Sequence, residues 1–211
     1  MDSAFFRAWL AEAGIVIEAQ RDHLTQLDAA IGDADHGINL ARGFSAITVA
    51  LDQSATPTPG SVLILAGSTL ISKVGGASGP LYGMALRQAG KSLGDTADAS
   101  LPDLAGSLEA ALAGVQKLGA AREGEKTMVD ALAPAVAALQ KAISEGADAD
   151  TALAAAARAA ADGAQATISM QALKGRASYL GPRSVGHEDP GAASTALIIG
   201  ALRDIAQRQA S

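Results

Sequence analysis

The sequence predicts an all-α fold of about eight helical segments in an up-and-down arrangement. Three observations support this prediction. Apolar residues recur every three or four positions, which is the spacing of one face of a helix. No segment alternates apolar and polar residues for long enough to indicate a strand. Most connections are short, and short connections between successive helices favour antiparallel neighbours.

Prolines, glycines and polar runs divide the chain into the eight segments. They lie at about residues 4–30, 38–53, 61–74, 81–93, 102–118, 127–144, 151–173 and 192–209. Asp2 or Ser3 can cap the first segment. The third contains the β-branched run "LILAGSTLISKV", which is long and has no hairpin turn, so a helix is favoured. Helical stripes are clearest in the first, seventh and eighth segments, at Leu10, Ala13, Ile17, Leu24 and Leu27, at Leu153, Ala157, Ala160 and Ala164, and at Leu197, Ala201 and Ile205.

The composition indicates one domain over residues 1–211 and excludes several classes of function. The net charge of -6 argues against nucleic acid as the main partner, because phosphate binding needs a basic face. The absence of cysteine excludes disulfides, zinc–thiolate sites and thiol nucleophiles. No signal peptide and no apolar run of membrane-spanning length is recognisable. We therefore expect a cytoplasmic protein that does not enter the membrane.

Four loops are predicted to share one end of the bundle. In an up-and-down arrangement every second connection lies at the same end, which brings together the loops after the first, third, fifth and seventh segments. These loops contain "GDADHG", "GGASGP", "GAAREGEK" and "KGRASYLGPRSVGHEDPG". They are the loops richest in glycine and in chemically capable side chains, so this end is the candidate active end.

The first of these loops carries three closely spaced aspartates, Asp28, Asp33 and Asp35. Like charges this close repel one another, so a positive partner is expected. Carboxylate oxygens are ligands of hard divalent cations, and Mg²⁺ commonly shares them with substrate phosphates. An EF-hand is excluded, because the positions of its glycine and glutamate hold Ile38 and Phe44. Helix capping is the alternative for each aspartate taken alone; Gly32 and Gly37 are expected to let the backbone turn sharply.

The second and fourth loops could meet an anion. "VGGASGPLYG" exposes backbone N–H groups ahead of a helix, although it is not a Walker A loop. The last loop carries Lys174, Arg176 and Arg183, which could bind phosphate or form a solvated rim. Of the three histidines, His36 is predicted at the site, His23 is predicted to be structural or at the surface, and His187 is left open.

Four motifs together resemble the nucleotide-binding L subunit of dihydroxyacetone (glycerone) kinase. They are "GDADHGINL", "GGASGPLYG", "EKTMVDAL" and "KGRASYLGPRSVGHEDPGAAST", and they extend from residue 32 to 195 in the order found in the family. The resemblance implies an eight-helix, antiparallel, barrel-like bundle with ADP or ATP at one end. It also implies two Mg²⁺ ions held by Asp28, Asp33 and Asp35. Ala34 departs from the glycine that is common in the family.

The resemblance also implies which residues contact the nucleotide. Arg176 is expected to contact phosphate and to assist transfer as the catalytic residue. The last loop is expected to be mobile and to close over the nucleotide. The nucleotide contacts implied by the family are His36, Gly37, Ile38, Asn39, Ala77, Ser78, Gly119, Met128, Arg176, Asp189, Pro190 and Gly191.

The family pattern further implies a partner, because its ketose is held by a separate K subunit. The phosphoryl donor is then either ATP or a phosphotransferase-system M protein that rephosphorylates bound ADP. A homodimer or a hetero-oligomer is expected. Three alternatives stay open at this point: a kinase for another small ketose such as erythrulose, a subunit of a fatty acid kinase, and a non-enzymatic nucleotide-dependent regulator.

Overall fold

The computed structural model describes residues 1–210, and every regular element in that range is helical. The all-α prediction is therefore confirmed for these residues. Two short 3-10 helices lie at Thr167–Ser169 and Arg176–Ser184. The α-helices are α1 (Ser3–Ala19), α2 (Arg21–Ile31), α3 (His36–Asp52), α4 (Pro59–Lys73), α5 (Ser78–Leu93), α6 (Leu101–Gly119), α7 (Val129–Ser144), α8 (Ala149–Ala166) and α9 (Pro190–Ala210).

The first predicted segment consists of two helices, α1 and α2, with only Gln20 between them. Gln20 leaves helical geometry (φ -101°, ψ 8°), yet the N–H of Leu24 still donates to its carbonyl at 2.9 Å. Both helices bury residues of the same apolar stripe, including Ile17 on α1 and Leu24 on α2. The stripe continues across the break, so the apolar spacing did not reveal it.

The predicted end of the seventh segment, at about residue 173, was wrong. The long loop after this segment also contains a short helix that was not predicted. Helix α8 ends at Ala166, and the chain then forms the first 3-10 helix. Thr167 is fully buried and its hydroxyl donates to the Ala164 carbonyl at 2.6 Å. The second 3-10 helix, Arg176–Ser184, lies within the predicted loop. Short 3-10 helices lack a long apolar period, so they leave little trace in a sequence.

The helices form a closed ring with eight positions, as the barrel-like prediction requires. Each helix from α3 to α9 packs against the next, and both α1 and α2 pack between α3 and α9. The Trp9 indole N–H on α1 donates to the Ile198 carbonyl on α9 at 2.9 Å, which ties the two ends of the ring together. A single large apolar core, rich in alanine, runs through the ring.

The two ends of the ring differ in how their helices begin. At one end, the side chains of Asp2, Thr58, Ser100 and Asp148 each accept an N–H from the first turn of α1, α4, α6 and α8. At the opposite end, the residues preceding α3, α5 and α7 make no such side-chain bond. This second end carries the four predicted loops. Asp189 caps α9 and the Thr127 hydroxyl accepts the Val129 N–H of α7, so the starts that retain donor groups for a ligand are those of α3 and α5.

Glycines let α4 and α5 approach closely. A Cβ at Gly67 would lie 2.5 Å from the Gly83 carbonyl oxygen, and a Cβ at Gly83 would lie 2.6 Å from the Gly67 carbonyl oxygen. Seven residues earlier on α4 and seven residues later on α5, a Cβ at Gly90 would lie 2.6 Å from the Gly60 carbonyl oxygen. These separations are too short for a carbon atom. The position of α5, whose first residues belong to the loop end, therefore depends on glycine.

Within the part of the chain that the structure describes, no helix combines the length and the apolar character that a membrane crossing needs.

We predict that Gly83→Ala destabilises the protein by about 1–3 kcal/mol, because the added carbon overpacks the α4–α5 contact. Urea unfolding measures the change. Gly106→Ala on α6 is the matched control, since a Cβ there meets nothing within 4 Å. That substitution should stabilise the helix by up to about 1 kcal/mol. Equal effects of the two substitutions would contradict the close-packing interpretation.

Candidate functional site

The four predicted loops meet around one cavity of about 300 Å³. That volume is at the lower end of the range for small-molecule sites. Of the residues predicted to bind nucleotide or metal, those that line the cavity are Asp28, Asp33, Asp35, His36, Ala77, Ser78, Gly119, Met128, Arg176, Asp189, Pro190 and Gly191.

Three carboxylates converge at one side of the cavity. Oxygens of Asp28, Asp33 and Asp35 all lie within 4.8 Å of one another. Asp28, in the last turn of α2, is only 8% exposed, and its Oδ2 accepts the backbone N–H groups of Asp35 (2.8 Å) and His36 (3.1 Å). A set of converging carboxylate oxygens suits a hard divalent cation such as Mg²⁺. The donor set therefore fits the predicted metal.

Glycine has a different role in this loop from the one predicted. The residue with positive φ is Ala34 (φ 62°), at the position where the family commonly has glycine. A Cβ at Gly32 would overlap Asp28 Oδ1, and a Cβ at Gly37 would overlap the Arg21 carbonyl oxygen. The two glycines are thus required by close packing around Asp28 and between α2 and α3. Gly32 lies at the bend where α2 ends, with φ -141° and ψ -134°, whereas Gly37 lies inside α3, so the predicted turn was wrong only for Gly37.

The opposite wall of the cavity is apolar. Met128, which is 5% exposed, precedes α7, and Gly191 on α9 packs against it. A Cβ at Gly191 would lie 3.0 Å from Asp189 Oδ2 and 3.5 Å from the Met128 Cβ, so it would crowd the Asp189 carboxylate and make an ordinary contact with Met128. Leu81, Val115 and Val129 complete the wall. Such a surface suits the flat, largely apolar face of an aromatic base.

Tyr82 lies within the "GGASGPLYG" motif and makes contacts that its position in the sequence does not predict. Its hydroxyl lies 2.9 Å from the Gly191 carbonyl oxygen, 2.7 Å from Ser194 Oγ and 2.8 Å from Thr195 Oγ1, and burial raises its pKa. His36 Nε2 also meets Ser194 Oγ, at 2.8 Å, and burial lowers the pKa of this imidazole. These contacts tie α3 and α5 to the start of α9 beneath the cavity.

Arg176 reaches across the cavity mouth from the second 3-10 helix. Its Nη2 lies 3.0 Å from Asp33 Oδ2, and the two side chains are 68% and 38% exposed. An ion pair this exposed contributes at most about 1 kcal/mol, so it breaks easily in favour of another anion. The loop carrying Arg176 is held at both ends, because the Leu173 N–H donates to Glu125 and the Gly186 N–H donates to Ile168.

Three of the predicted nucleotide contacts do not line the cavity. Gly37, Ile38 and Asn39 lie in the first turn of α3; Ile38 is 51% exposed, and the buried Asn39 accepts a hydrogen bond from Arg42. Contacts through their backbone N–H groups stay a prediction. His23 is exposed, as expected. The His187 side chain is also exposed, but its backbone carbonyl accepts a hydrogen bond from Lys126 Nζ.

Two buried charged residues lie close to Met128 in the chain. Lys126 is 1% exposed and Asp130 is 3% exposed, and both belong to the motif "EKTMVDAL". Asp130 accepts the N–H groups of Gly124 (2.5 Å) and Thr127 (2.7 Å). Asp189 caps α9 by accepting the Ala192 N–H at 2.7 Å. Burial, reinforced by the nearby Asp130 carboxylate, raises the pKa of Asp189 to about 7.

We predict a pH dependence of stability from Asp189. Its folded-state pKa of about 7 lies above the ordinary 3.8, so its contribution is complete below about pH 4 and is lost as the pH rises to about 7. The slope from this group approaches about 1.4 kcal/mol per pH unit. Asp189→Asn should flatten the profile of unfolding free energy between about pH 4.5 and 7, measured by urea unfolding without nucleotide.

Asp148→Asn is the control for this measurement. Asp148 caps α8, and the N–H of Thr151 lowers its pKa. Its effect on the pH profile should therefore lie below about pH 4. An unchanged slope in Asp189→Asn would show that Asp189 ionises normally.

Comparison with known proteins agrees with this geometry. The DAK2 domain model matches residues 30–204. The chain is 43% identical over 186 residues to "PEP-dependent dihydroxyacetone kinase, ADP-binding subunit DhaL" of Escherichia coli K12, covering 88% of this chain and 89% of that protein. It is 42% identical over 204 residues to the corresponding subunit of kinase 2 of Listeria innocua, covering 96% and 94%.

A solved structure has the same fold. It is the dihydroxyacetone kinase from C. freundii in complex with AMP-PNP and Mg²⁺, with a TM-score of 0.73 and 28% identity. The match covers 95% of this chain and 34% of the C. freundii chain, so the present chain spans about a third of that kinase. From the family model and the two subunit relatives, the chain belongs to the DAK2 domain family.

Proposed function

We propose that this protein is the ADP-binding subunit of a dihydroxyacetone kinase and works as a phosphotransferase together with a ketose-binding subunit. The observation that carries the proposal is the cavity itself, which joins three converging carboxylates, the uncapped start of α5 and an apolar wall. The similarity to ADP-binding subunits over about nine tenths of their length supports it.

Asp28, Asp33 and Asp35 would hold two Mg²⁺ ions. When bound, the ions supply positive charge that neutralises the nucleotide phosphates and the charge that develops during transfer. Asp28 is held in place by the N–H groups of Asp35 and His36, so it is preorganised for this role. The convergence of the three carboxylates supports the assignment, and so does the complex of the similar C. freundii kinase with Mg²⁺.

The nucleotide would lie with its base against the Met128 wall and its phosphates towards the carboxylates. Ala77 and Ser78 stand at the start of α5, where backbone N–H groups and the helix dipole favour an anion. Gly119 lies at the end of α6, and Asp189, Pro190 and Gly191 lie at the start of α9. These residues frame the cavity between the two walls and would contact the nucleoside.

Phosphoryl transfer depends mainly on positioning and on charge neutralisation. Arg176 is the residue of this chain that can move to the transferred group, because its present partner is an exposed carboxylate. The ketose and any group that activates it would belong to the K subunit. We propose that ADP stays bound and is rephosphorylated by an M protein, since the relatives matched over most of their length are described as PEP-dependent.

The K subunit would dock at the loop end of the ring. Tyr179 is 88% exposed and follows Arg176 by three residues in a 3-10 helix, where side chains three apart project in the same direction. An exposed aromatic residue at a site entrance is typical of an interface. A hetero-oligomer follows from this partnership, while a homodimer and the cytoplasmic location stay predictions.

We predict that Mg²⁺ and ADP bind cooperatively, because the phosphates complete the metal coordination. Calorimetric titration of the protein with ADP, once in Mg²⁺ and once in EDTA, should give an ADP affinity that is about tenfold or more higher in Mg²⁺. Asp33→Asn should weaken ADP binding in Mg²⁺ and reduce the increase in melting temperature that saturating ADP produces.

Asp52→Asn is the matched control for Asp33→Asn. Asp52 is exposed at the far end of α3, about 24 Å along the helix from the cavity. The Asp52→Asn variant should bind ADP with the same affinity as the unmodified protein. Equal ADP affinity in Mg²⁺ and in EDTA would refute the metal-bridged site.

Arg176→Ala and Tyr179→Ala form a second prediction, as a matched pair on one face of the same 3-10 helix. Arg176→Ala should lower ADP affinity about tenfold while the melting temperature without nucleotide barely changes, because the Asp33 pair is exposed. Tyr179→Ala should leave ADP affinity unchanged and lower turnover with the K subunit. Identical behaviour of the two variants would contradict the separate roles.

Turnover assays decide between the kinase and the alternatives. The purified protein with a K subunit should phosphorylate dihydroxyacetone when supplied with phosphorylated M protein. Activity with ATP but not with M protein would replace the proposed donor. Binding of ADP without turnover under either condition would favour the regulator.

A further inference from the structure

Lys126 is a buried charge that the proposed chemistry leaves without a role. It is 1% exposed, has a positive φ of 61°, and lines the cavity next to Thr127 and Met128. A charged lysine in the interior is costly unless hydrogen bonds and opposite charges compensate for its burial, and a positive φ is costly in a residue with a long side chain. A site that carries both costs requires a compensating function or strong local support.

The ammonium group joins two separate parts of the loop end. Lys126 Nζ donates to the Thr167 carbonyl oxygen at 2.6 Å and to the His187 carbonyl oxygen. Thr167 in turn accepts the N–H of Asp189 on its hydroxyl oxygen, at 2.9 Å. The connection therefore extends from the loop before α7, through the end of α8, to the residues that begin α9.

Acidic residues from the same two parts of the chain surround Lys126. Asp130, Asp189 and Glu188 all act on it electrostatically and favour its charged form, against the effect of burial, which lowers the pKa of Lys126. Asp130 also accepts the N–H groups of Gly124 and Thr127 and so shapes the loop on either side of the lysine. The ammonium group thus holds together two acidic segments that would otherwise repel each other.

We propose that Lys126 is a positioning residue for the nucleotide: it fixes the turn at residues 187–191 against the Met128 wall. This inference rests on the proposed function, because the turn and Met128 are the nucleoside contacts assigned there. Lys126 itself holds backbone carbonyls and need not touch the ligand. Without it, Asp189, Pro190 and Gly191 would lose their fixed distance from Met128.

Lys126→Met tests the proposal, because methionine retains much of the volume and removes the donors. Calorimetry in Mg²⁺ should show ADP affinity reduced about tenfold or more, since two hydrogen bonds from a charged donor are lost. The ADP concentration that gives half-maximal turnover with phosphorylated M protein should rise, while kcat at saturating ADP stays nearly unchanged. Hydrogen exchange at residues 185–191 should become faster in the protein without nucleotide. Lys126→Arg should restore much of the affinity, and Lys117→Met, an exposed lysine on α6, should change nothing.

Each other outcome overturns a specific part of the proposal. Unchanged ADP affinity in Lys126→Met would refute it. Reduced affinity with unchanged exchange at residues 185–191 would show that Lys126 contacts the nucleotide directly, which also refutes positioning. If Lys126→Met does not fold, Lys126→Gln is judged by the same two measurements. If the unmodified protein does not bind ADP, the proposed function fails. Hydrogen exchange at residues 185–191 in Lys126→Met would still test whether Lys126 fixes the turn at residues 187–191.

Discussion

The Asp28 carboxylate is the contact on which the loop end of this protein depends. Its Oδ2 accepts the backbone N–H groups of Asp35 and His36, which joins the end of α2 to the start of α3. The space around it admits no side chain at Gly32. With Asp28 fixed in this way, the intervening loop has little freedom, and Asp33 and Asp35 converge on it. Three negative charges are thus placed together by backbone hydrogen bonds, and a bound cation would offset their repulsion.

The ring of helices then divides structural and functional tasks between its two ends. At the end away from the cavity, side chains cap α1, α4, α6 and α8 and accept hydrogen bonds from first-turn N–H groups that have no partner within the helix. At the cavity end, α3, α5 and α7 begin without a cap from the preceding residue. Close packing of glycines on α4 and α5 sets the position of one of these helix starts. The fold therefore leaves donors at the starts of α3 and α5, where an anionic ligand is proposed to bind.

The sequence predicted those site residues that belong to short motifs better than those whose role depends on burial or on three-dimensional contacts. The carboxylates and the glycine-rich loop stand in short motifs, and the structure places both at the cavity. Lys126 and Tyr82 lie within two of the family motifs, but their roles could not be predicted. Nothing in a sequence shows that a lysine is buried or that a tyrosine hydroxyl meets three partners. Ile38 lies in the first motif, and yet the structure leaves it exposed and outside the cavity lining. Proximity in sequence is not the same as orientation towards a site.

The sequence by itself determined the helical class, the breaks that proline and glycine mark and the end of the bundle that carries the chemistry, because apolar spacing, proline and glycine act locally along the chain. It could not determine the break at Gln20, the 3-10 helix from Arg176 to Ser184, or the pairing of Arg176 with Asp33. It also could not reveal that Lys126 connects the loop before α7 to the end of α8 and the start of α9. The break at Gln20 and the short 3-10 helix leave no mark in the apolar spacing. Only the tertiary structure decided the contacts of Arg176 and Lys126, since they join residues far apart in sequence that closure of the ring brings within contact distance.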